Sequence, residues 1–134
     1  MKKISLLGAT GSIGLQTIDI LEQHADQFQL VAFSSGRNME ATRNILRKLT
    51  PQLVSVMTAD DAHALQQEFP NVAFTYGNDG LVEVATHPET TVLVNAVLGS
   101  VGLASTLAAI RMGKTIAIAN KETLVTAGHL VMSE

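Results

Sequence analysis

Short apolar runs alternate with amphipathic segments along this chain, and that alternation limits it to one fold class. Ile4–Leu7, Leu30–Phe33, Leu53–Met57, Val72–Tyr76, Val92–Val97 and Thr115–Ala119 are nearly unbroken apolar stretches. A strand covered on both faces needs such a run, because both of its side-chain rows meet another layer. Between the runs, Ile13, Thr17, Ile18 and Leu21 share one face of a helical repeat, as do Ala41, Ile45, Leu46 and Leu49. Leu103, Leu107 and Ile110 repeat the pattern further on, and Gly113 supplies a stop. Regions 60–68 and 78–87 predict weaker helices, with Asp60 or Asp61 capping the first and Asn78 or Asp79 the second. His87-Pro88 closes the second, since proline disfavours helical geometry in the residue before it. Leu124, Ala127 and Val131 suggest a last helix. Repeated strand–helix–strand units predict a doubly wound parallel α/β sheet with right-handed crossovers, in three αβα layers.

The first strand runs directly into Gly8-Ala9-Thr10-Gly11-Ser12-Ile13-Gly14, a G-x-x-G-x-x-G spacing. Gly8 allows a tight turn off the strand, Gly11 lets backbone approach a pyrophosphate, and Gly14 lets the helix pack on the strand. The helix N-terminus offers free N–H groups and a positive dipole end to phosphate. Thr10 and Ser12 can add hydroxyl donors. A glycine turn without a ligand has the same spacing, but the placement between a strand and a helix favours dinucleotide binding in a Rossmann-like domain.

The second strand separates NADP from NAD. NAD-binding domains usually place an acid at its end, to accept from the ribose hydroxyls. Here it ends Ser34-Ser35-Gly36-Arg37-Asn38, and no acid appears before Glu40. Arg37 stands where a 2′-phosphate would arrive, and a guanidinium can grip phosphate through two parallel bonds. Ser34, Ser35 and Asn38 can add neutral hydrogen bonds. Taken alone, Arg37 also suits a solvated loop; with the missing acid and the glycine loop beside it, the expected cofactor is NADPH. Arg43, Arg47 and Lys48 are expected on a solvated helix face.

Two later segments also follow strand ends. Val97-Leu98-Gly99-Ser100-Val101-Gly102 suits either a nicotinamide passing close to backbone or a plain turn capped by Ser100. Ala119-Asn120-Lys121-Glu122-Thr123-Leu124 carries a polar triplet off an apolar strand. Lys121 can neutralise an anionic substrate, while Asn120 and Glu122 can orient ribose or amide groups; Glu122 equally suits the first turn of a helix.

Composition narrows the remaining classes. Of the 134 residues, 46% are hydrophobic and 16% charged, enough apolar material for a core and too little charge for disorder. The net charge of −3 gives a nucleic-acid role no electrostatic support. The absence of cysteine removes disulfides, thiol catalysis and cysteine zinc sites. His24, His63, His87 and His129 show no metal-ligand spacing. The run after Met1-Lys2-Lys3 is too short for a signal peptide, and no stretch approaches the roughly 20 apolar residues of a membrane span. The expected location is the cytoplasm, with no membrane partner.

The glycine loop, Gly36-Arg37-Asn38, Gly102-Leu103 with Thr106-Leu107-Ala108-Ala109-Ile110, Gly113-Lys114-Thr115 and Ala119-Asn120-Lys121-Glu122-Thr123-Leu124-Val125 together resemble the 1-deoxy-D-xylulose 5-phosphate reductoisomerases. The resemblance spans essentially the whole chain. It implies an NADPH-dependent enzyme of non-mevalonate isoprenoid synthesis, which rearranges 1-deoxy-D-xylulose 5-phosphate and reduces the product to 2-C-methyl-D-erythritol 4-phosphate. It further implies that Thr10, Gly11, Ser12, Ile13, Gly36, Arg37, Asn38, Asn120 and Glu122 bind NADPH, and that Lys121 touches substrate. Residues 1–134 would then be the NADPH-binding domain of a longer enzyme, without its catalytic and C-terminal domains. The family's Mg²⁺ or Mn²⁺ ligands fall outside this sequence, so this chain alone is expected to bind cofactor without turnover and to contain no catalytic residue. The full-length protein is expected to be a homodimer.

Two other readings compete. Another NADP reductase with a similar loop would need a catalytic cysteine, or a Tyr-x-x-x-Lys pair; the fourth residue after Tyr76 is Gly80. A non-enzymatic NADPH sensor would need only the cofactor site.

Overall fold

The computed structural model describes residues 2–96, 103–119, 123–126 and 129–132. Strands β1 (Lys2–Leu7), β2 (Phe28–Ser34), β3 (Leu53–Val56), β4 (Ala73–Tyr76), β5 (Val92–Asn95) and β6 (Thr115–Ala119) lie parallel. Strands β7 (Thr123–Thr126) and β8 (His129–Met132) extend the sheet antiparallel. The order is β4-β3-β2-β1-β5-β6-β7-β8. β1 therefore sits between β2 and β5, where the winding reverses and where doubly wound sheets open a crevice outside their strand ends.

Helices α1 (Ser12–Gln23), α2 (Met39–Lys48) and α3 (Ala59–Glu68) cover one face, and α4 (Gly77–Ala85) and α5 (Leu103–Arg111) cover the other. Strand alternation divides the core between them. Ile4, Leu6, Phe33, Val54, Val92 and Val94 pack with Ile18 and Leu21 of α1, Ile45 and Leu46 of α2, and Leu65 of α3. Leu7, Val31 and Leu93 pack with Val84 and Ala85 of α4 and Ala109 of α5. Ser5 faces α4, and its hydroxyl meets both Val84 O and Thr90 Oγ1 at 2.6 Å, so this polar group in β1 is buried with its bonds made. The expected doubly wound, three-layer αβα architecture is the observed one.

Several local expectations need correction. α5 does not bury the stripe of Leu103, Leu107 and Ile110, which are 56%, 45% and 53% exposed; it buries Ser105 and Ala109. The small face lets α5 approach α4 closely, and the larger side chains turn outward. The region around Leu124, Ala127 and Val131 forms no single helix, because 123–126 and 129–132 pair as antiparallel strands. Thr123-Leu124-Val125-Thr126 is rich in β-branched residues, which suit a pleated surface better than a helix. α3 is capped by Thr58, whose hydroxyl accepts from Asp61 N at 3.2 Å, rather than by Asp60 or Asp61. Asn78 and Asp79 lie inside α4, whose cap position is Tyr76, with no side-chain bond. Arg43 does more than face solvent: its guanidinium grips Glu68 through Nε and Nη2, each at 3.0 Å, and so ties α2 to α3.

Two glycines shape the end of β1. Gly8 has φ +81°, a left-handed conformation costly for any residue with a Cβ. Gly14 lies where α1 meets that turn. A Cβ there would overlap Gly8 O and stand 2.7 Å from Ala9 C, and both are backbone atoms that no rotamer change can move. Gly14→Ala should therefore lower stability by about 1–3 kcal/mol, the usual cost of overpacking. A chemical-denaturation curve that superimposes on that of the parent chain would contradict this packing.

Candidate functional site

A cleft of about 550 Å³ opens at the carboxyl ends of β1, β2, β3 and β5. Gly8, Thr10, Gly11, Ser12 and Ile13 form one wall, and Ser34, Ser35, Gly36, Arg37 and Asn38 form the opposite one. Met57, Leu81 and Ala96 supply apolar surface between them. Arg37 is the one charged residue among the described residues that line it.

The first wall is built to receive an anion. Gly11 is the N-cap of α1 at φ −76° and ψ 174°, with no side-chain cap bond, and no acid lies in the first turn. The other helix starts on this face are occupied differently. α2 is capped by Asn38 with Glu40 in its first turn, and α3 by Thr58 with Asp60 and Asp61. Only at α1, of these three, do the first-turn N–H groups lack both a cap and a carboxylate. Such groups, with the dipole behind them, favour negative charge.

Gly11 shows why glycine is useful there. A Cβ on it would come no nearer to the protein than 3.7 Å, from Gly8 O, and its φ is one that any residue adopts. Neither packing nor backbone strain demands glycine; open approach from the cleft does. Ser12 is exposed beside it. Ile13 is half-buried and packs into the core under α1, so what it offers the cleft is its N–H rather than its side chain.

The second wall differs from expectation in detail. Ser34 and Ser35 are buried, and their hydroxyls serve the fold: Ser34 Oγ accepts from Gly8 N at 2.8 Å, and Ser35 Oγ donates to Ser55 O at 3.5 Å. They are therefore poor candidates for direct phosphate contacts. Asn38 Oδ1 accepts from Ala41 N at 3.0 Å as the cap of α2, leaving its Nδ2 as the side-chain donor. Thr10 Oγ1 accepts from Gly36 N at 2.7 Å, which joins the two walls. Arg37 is exposed and, among the described residues, forms no ion pair. The nearest acid in sequence, Glu40, lies 3.9 Å from Arg47 along α2 and does not line the cleft.

The structure thus gathers Thr10, Gly11, Ser12, Ile13, Gly36, Arg37 and Asn38 around one cavity. Asn120, Lys121 and Glu122 lie outside the described residues, as does segment 97–102 with Ser100. β6, which leads to Asn120, lies beside β5 on the far side of the winding reversal. Met57 and Leu81 also line the cleft, and no motif marks either of them. Met57 ends an apolar run that read as core, yet it is 48% exposed at the cleft, and the position of Leu81 depends on α4 crossing beneath β1–β3. Among the described residues, no group of three His, Asp or Glu side chains could hold a metal ion. No helix is long and apolar enough to cross a membrane, among the same residues.

The family model for 1-deoxy-D-xylulose 5-phosphate reductoisomerase matches residues 4–128. The chain is similar to the reductoisomerase of Lysinibacillus sphaericus (strain C3-41), at 73% identity over 134 residues, covering 100% of this chain and 35% of that protein. Among solved structures it is similar to the Zymomonas mobilis reductoisomerase in complex with NADPH, with TM-score 0.79 and 33% identity, covering 89% of this chain and 32% of that one. It is also similar to a reductoisomerase structure with fosmidomycin and magnesium, with TM-score 0.81 and 30% identity, covering 90% and 31%. The chain spans 35% of the length of its curated relative.

The freedom around Gly11 separates binding from folding. Gly11→Val should melt like the parent chain yet bind a dinucleotide at least about tenfold more weakly, the value of one lost charge-assisted contact. Unchanged affinity for NADPH in calorimetry would reduce the loop to a turn.

Proposed function

Because the chain belongs to the 1-deoxy-D-xylulose 5-phosphate reductoisomerase family, we propose that residues 1–134 are the NADPH-binding domain of a longer enzyme. The observation that carries this reading is one cleft with two anion-binding features on opposite walls. One is the open N-terminus of α1, and the other is Arg37, with no carboxylate among the described lining residues. A pyrophosphate would lie over Gly11, against the N–H groups of Ser12 and Ile13. A 2′-phosphate would meet Arg37, with Asn38 Nδ2 nearby. The apolar surface of Met57 and Leu81 suits the face of an adenine. Asn120 and Glu122 would bind the same cofactor further along, and Lys121 would contact the substrate phosphate ester.

In the complete enzyme this domain would present the nicotinamide, which supplies hydride, to the aldehyde formed from 1-deoxy-D-xylulose 5-phosphate. The product would be 2-C-methyl-D-erythritol 4-phosphate. The rearrangement calls for Mg²⁺ or Mn²⁺, and the described residues do not fit that role, since no carboxylate cluster lines the cleft. The domain therefore binds and orients cofactor, and the metal belongs to other parts of the enzyme. The complete protein would be a cytoplasmic homodimer. Its net charge of −3 over this region argues against a nucleic-acid partner.

Cofactor choice tests the reading. NADPH should bind more tightly than NADH, and Arg37→Ala should remove most of a difference of roughly 10- to 100-fold, as expected for a charge-assisted contact. Equal affinities in the parent chain would overturn the assignment of Arg37.

Division of labour gives a second test. With NADPH, Mg²⁺ and 1-deoxy-D-xylulose 5-phosphate, this chain should leave absorbance at ~340 nm, the nicotinamide signal, unchanged. In a complete enzyme carrying the same residues, Lys121→Ala should raise KM more than it lowers kcat, because the residue binds substrate in ground and transition states alike. Sustained substrate-dependent oxidation by the 134 residues alone would place catalysis inside this domain.

A further inference from the structure

The two walls of the cleft belong to different crossovers, yet three hydrogen bonds make them one unit. Gly8 N donates to Ser34 Oγ at 2.8 Å, and Ala9 N donates to Ser34 O at 2.8 Å. In the opposite direction, Gly36 N donates to Thr10 Oγ1 at 2.7 Å. The side-chain bonds each join residues 26 positions apart. Ser34 is 3% exposed, so its tie is shielded from water. The Thr10 tie lies at the cleft, immediately before Arg37.

We propose that Thr10 is a specificity-determining positioning residue: its hydroxyl, by holding Gly36 N, fixes the Arg37 segment relative to the N-terminus of α1 and so sets the preference for NADPH over NADH. The inference rests on the NADPH reading above. In NADPH the pyrophosphate and the 2′-phosphate hang from a single ribose, so covalent geometry limits their separation. A protein that engages both must hold its two anion sites at a matching distance. Arg37 has a long, exposed side chain, and the backbone at Gly36 decides where that side chain starts. If the segment were loose, its ordering would be charged against 2′-phosphate binding. NADH lacks that phosphate and draws little on this placement.

The hydroxyl can also serve both walls at once. It has one donor and two acceptor sites. Gly36 N–H takes one acceptor site, which leaves the hydroxyl hydrogen for an acceptor in the cleft. A phosphate oxygen taking that hydrogen would polarise the bond from Gly36 in turn. Occupation of the first wall would then stiffen the second. A residue that only touched the pyrophosphate would instead serve both cofactors equally.

That difference is measurable by calorimetric titration of the 134-residue chain and its variants with NADPH and with NADH. Thr10→Val keeps the shape and removes the acceptor. It should weaken NADPH roughly three- to tenfold, the range of one neutral hydrogen bond, with a clearly smaller loss for NADH. Thr10→Ser keeps the hydroxyl and should restore the preference. In an Arg37→Ala background, Thr10→Val should weaken the two cofactors equally, because the group being positioned is gone. If Thr10→Val does not fold, Thr10→Ala removes the same acceptor for Gly36 N and should show the same split. Equal losses for both cofactors in the Arg37 background of the parent, or no loss at all, would overturn the inference while leaving NADPH binding intact. Failure of the parent chain to bind either dinucleotide would overturn the functional reading, and this inference with it.

Discussion

The cleft depends on how closely the first turn of α1 lies on the end of β1. Gly14 has no Cβ, so the helix backbone comes down onto Gly8 O and Ala9. Gly8 turns the chain at φ +81° so that α1 can begin at once. A bulkier residue at either position would lift the helix or open the turn. In both cases the first-turn N–H groups would no longer converge at the strand ends. Gly11 stands between them under no such packing demand, and its missing side chain leaves the approach to those N–H groups open. The same triplet thus includes two residues needed for the fold and one left free for a ligand.

The six parallel strands and their order of appearance were legible because buried parallel strands need apolar runs. The run at Thr115–Ala119 matches its strand at both ends, and the others shift by a few residues at their termini. The faces of α1 and α2 were also legible, since Thr17, Ile18, Leu21, Ile45 and Leu46 recur at helical spacing and are buried. Of the site, the two loops could be read because glycine and arginine at strand ends have few other uses. The polar wiring could not. Ser34, Ser35, Thr10 and Asn38 looked like equivalent donors to a ligand. Yet Ser34, Ser35 and Asn38 bond chiefly to the protein: Ser34 and Ser35 find partners from distant parts of the chain, and Asn38 caps its own helix.

The errors share a physical origin. Periodicity marks an apolar face without saying what covers it, so Leu103, Leu107 and Ile110 read as core while α5 packs through Ser105 and Ala109. At the start of α3 the Thr58 hydroxyl, two residues before Asp60 and three before Asp61, reaches the free N–H first. The tail misled because Leu124, Ala127 and Val131 fall at helical spacing, while pairing with β6 settles the backbone as strand. Tertiary partners decided the faces of α5 and the tail, and a local pattern contains no information about them.

An acidic chain can still offer a cleft suited to anions, and the arrangement of its charges explains how. Surface charges farther than about 8 Å are largely screened at physiological ionic strength, so the net charge of −3 matters less than what lines the cleft. The described residues that line it include no carboxylate, and Arg37 is among them. Glu40, the acid nearest to Arg37 along the chain, pairs along α2 with Arg47, and Glu68 is held by Arg43 on the outer surface of the helices. Each pairing involves exposed groups and adds little to stability. Its consequence is local: negative charge is drawn along the helices and away from the strand ends, while the uncapped end of α1 adds its positive dipole there. The acid-free cleft therefore follows from where α2 and α3 place their carboxylates as much as from the glycine loop, and it requires no net positive charge on the chain.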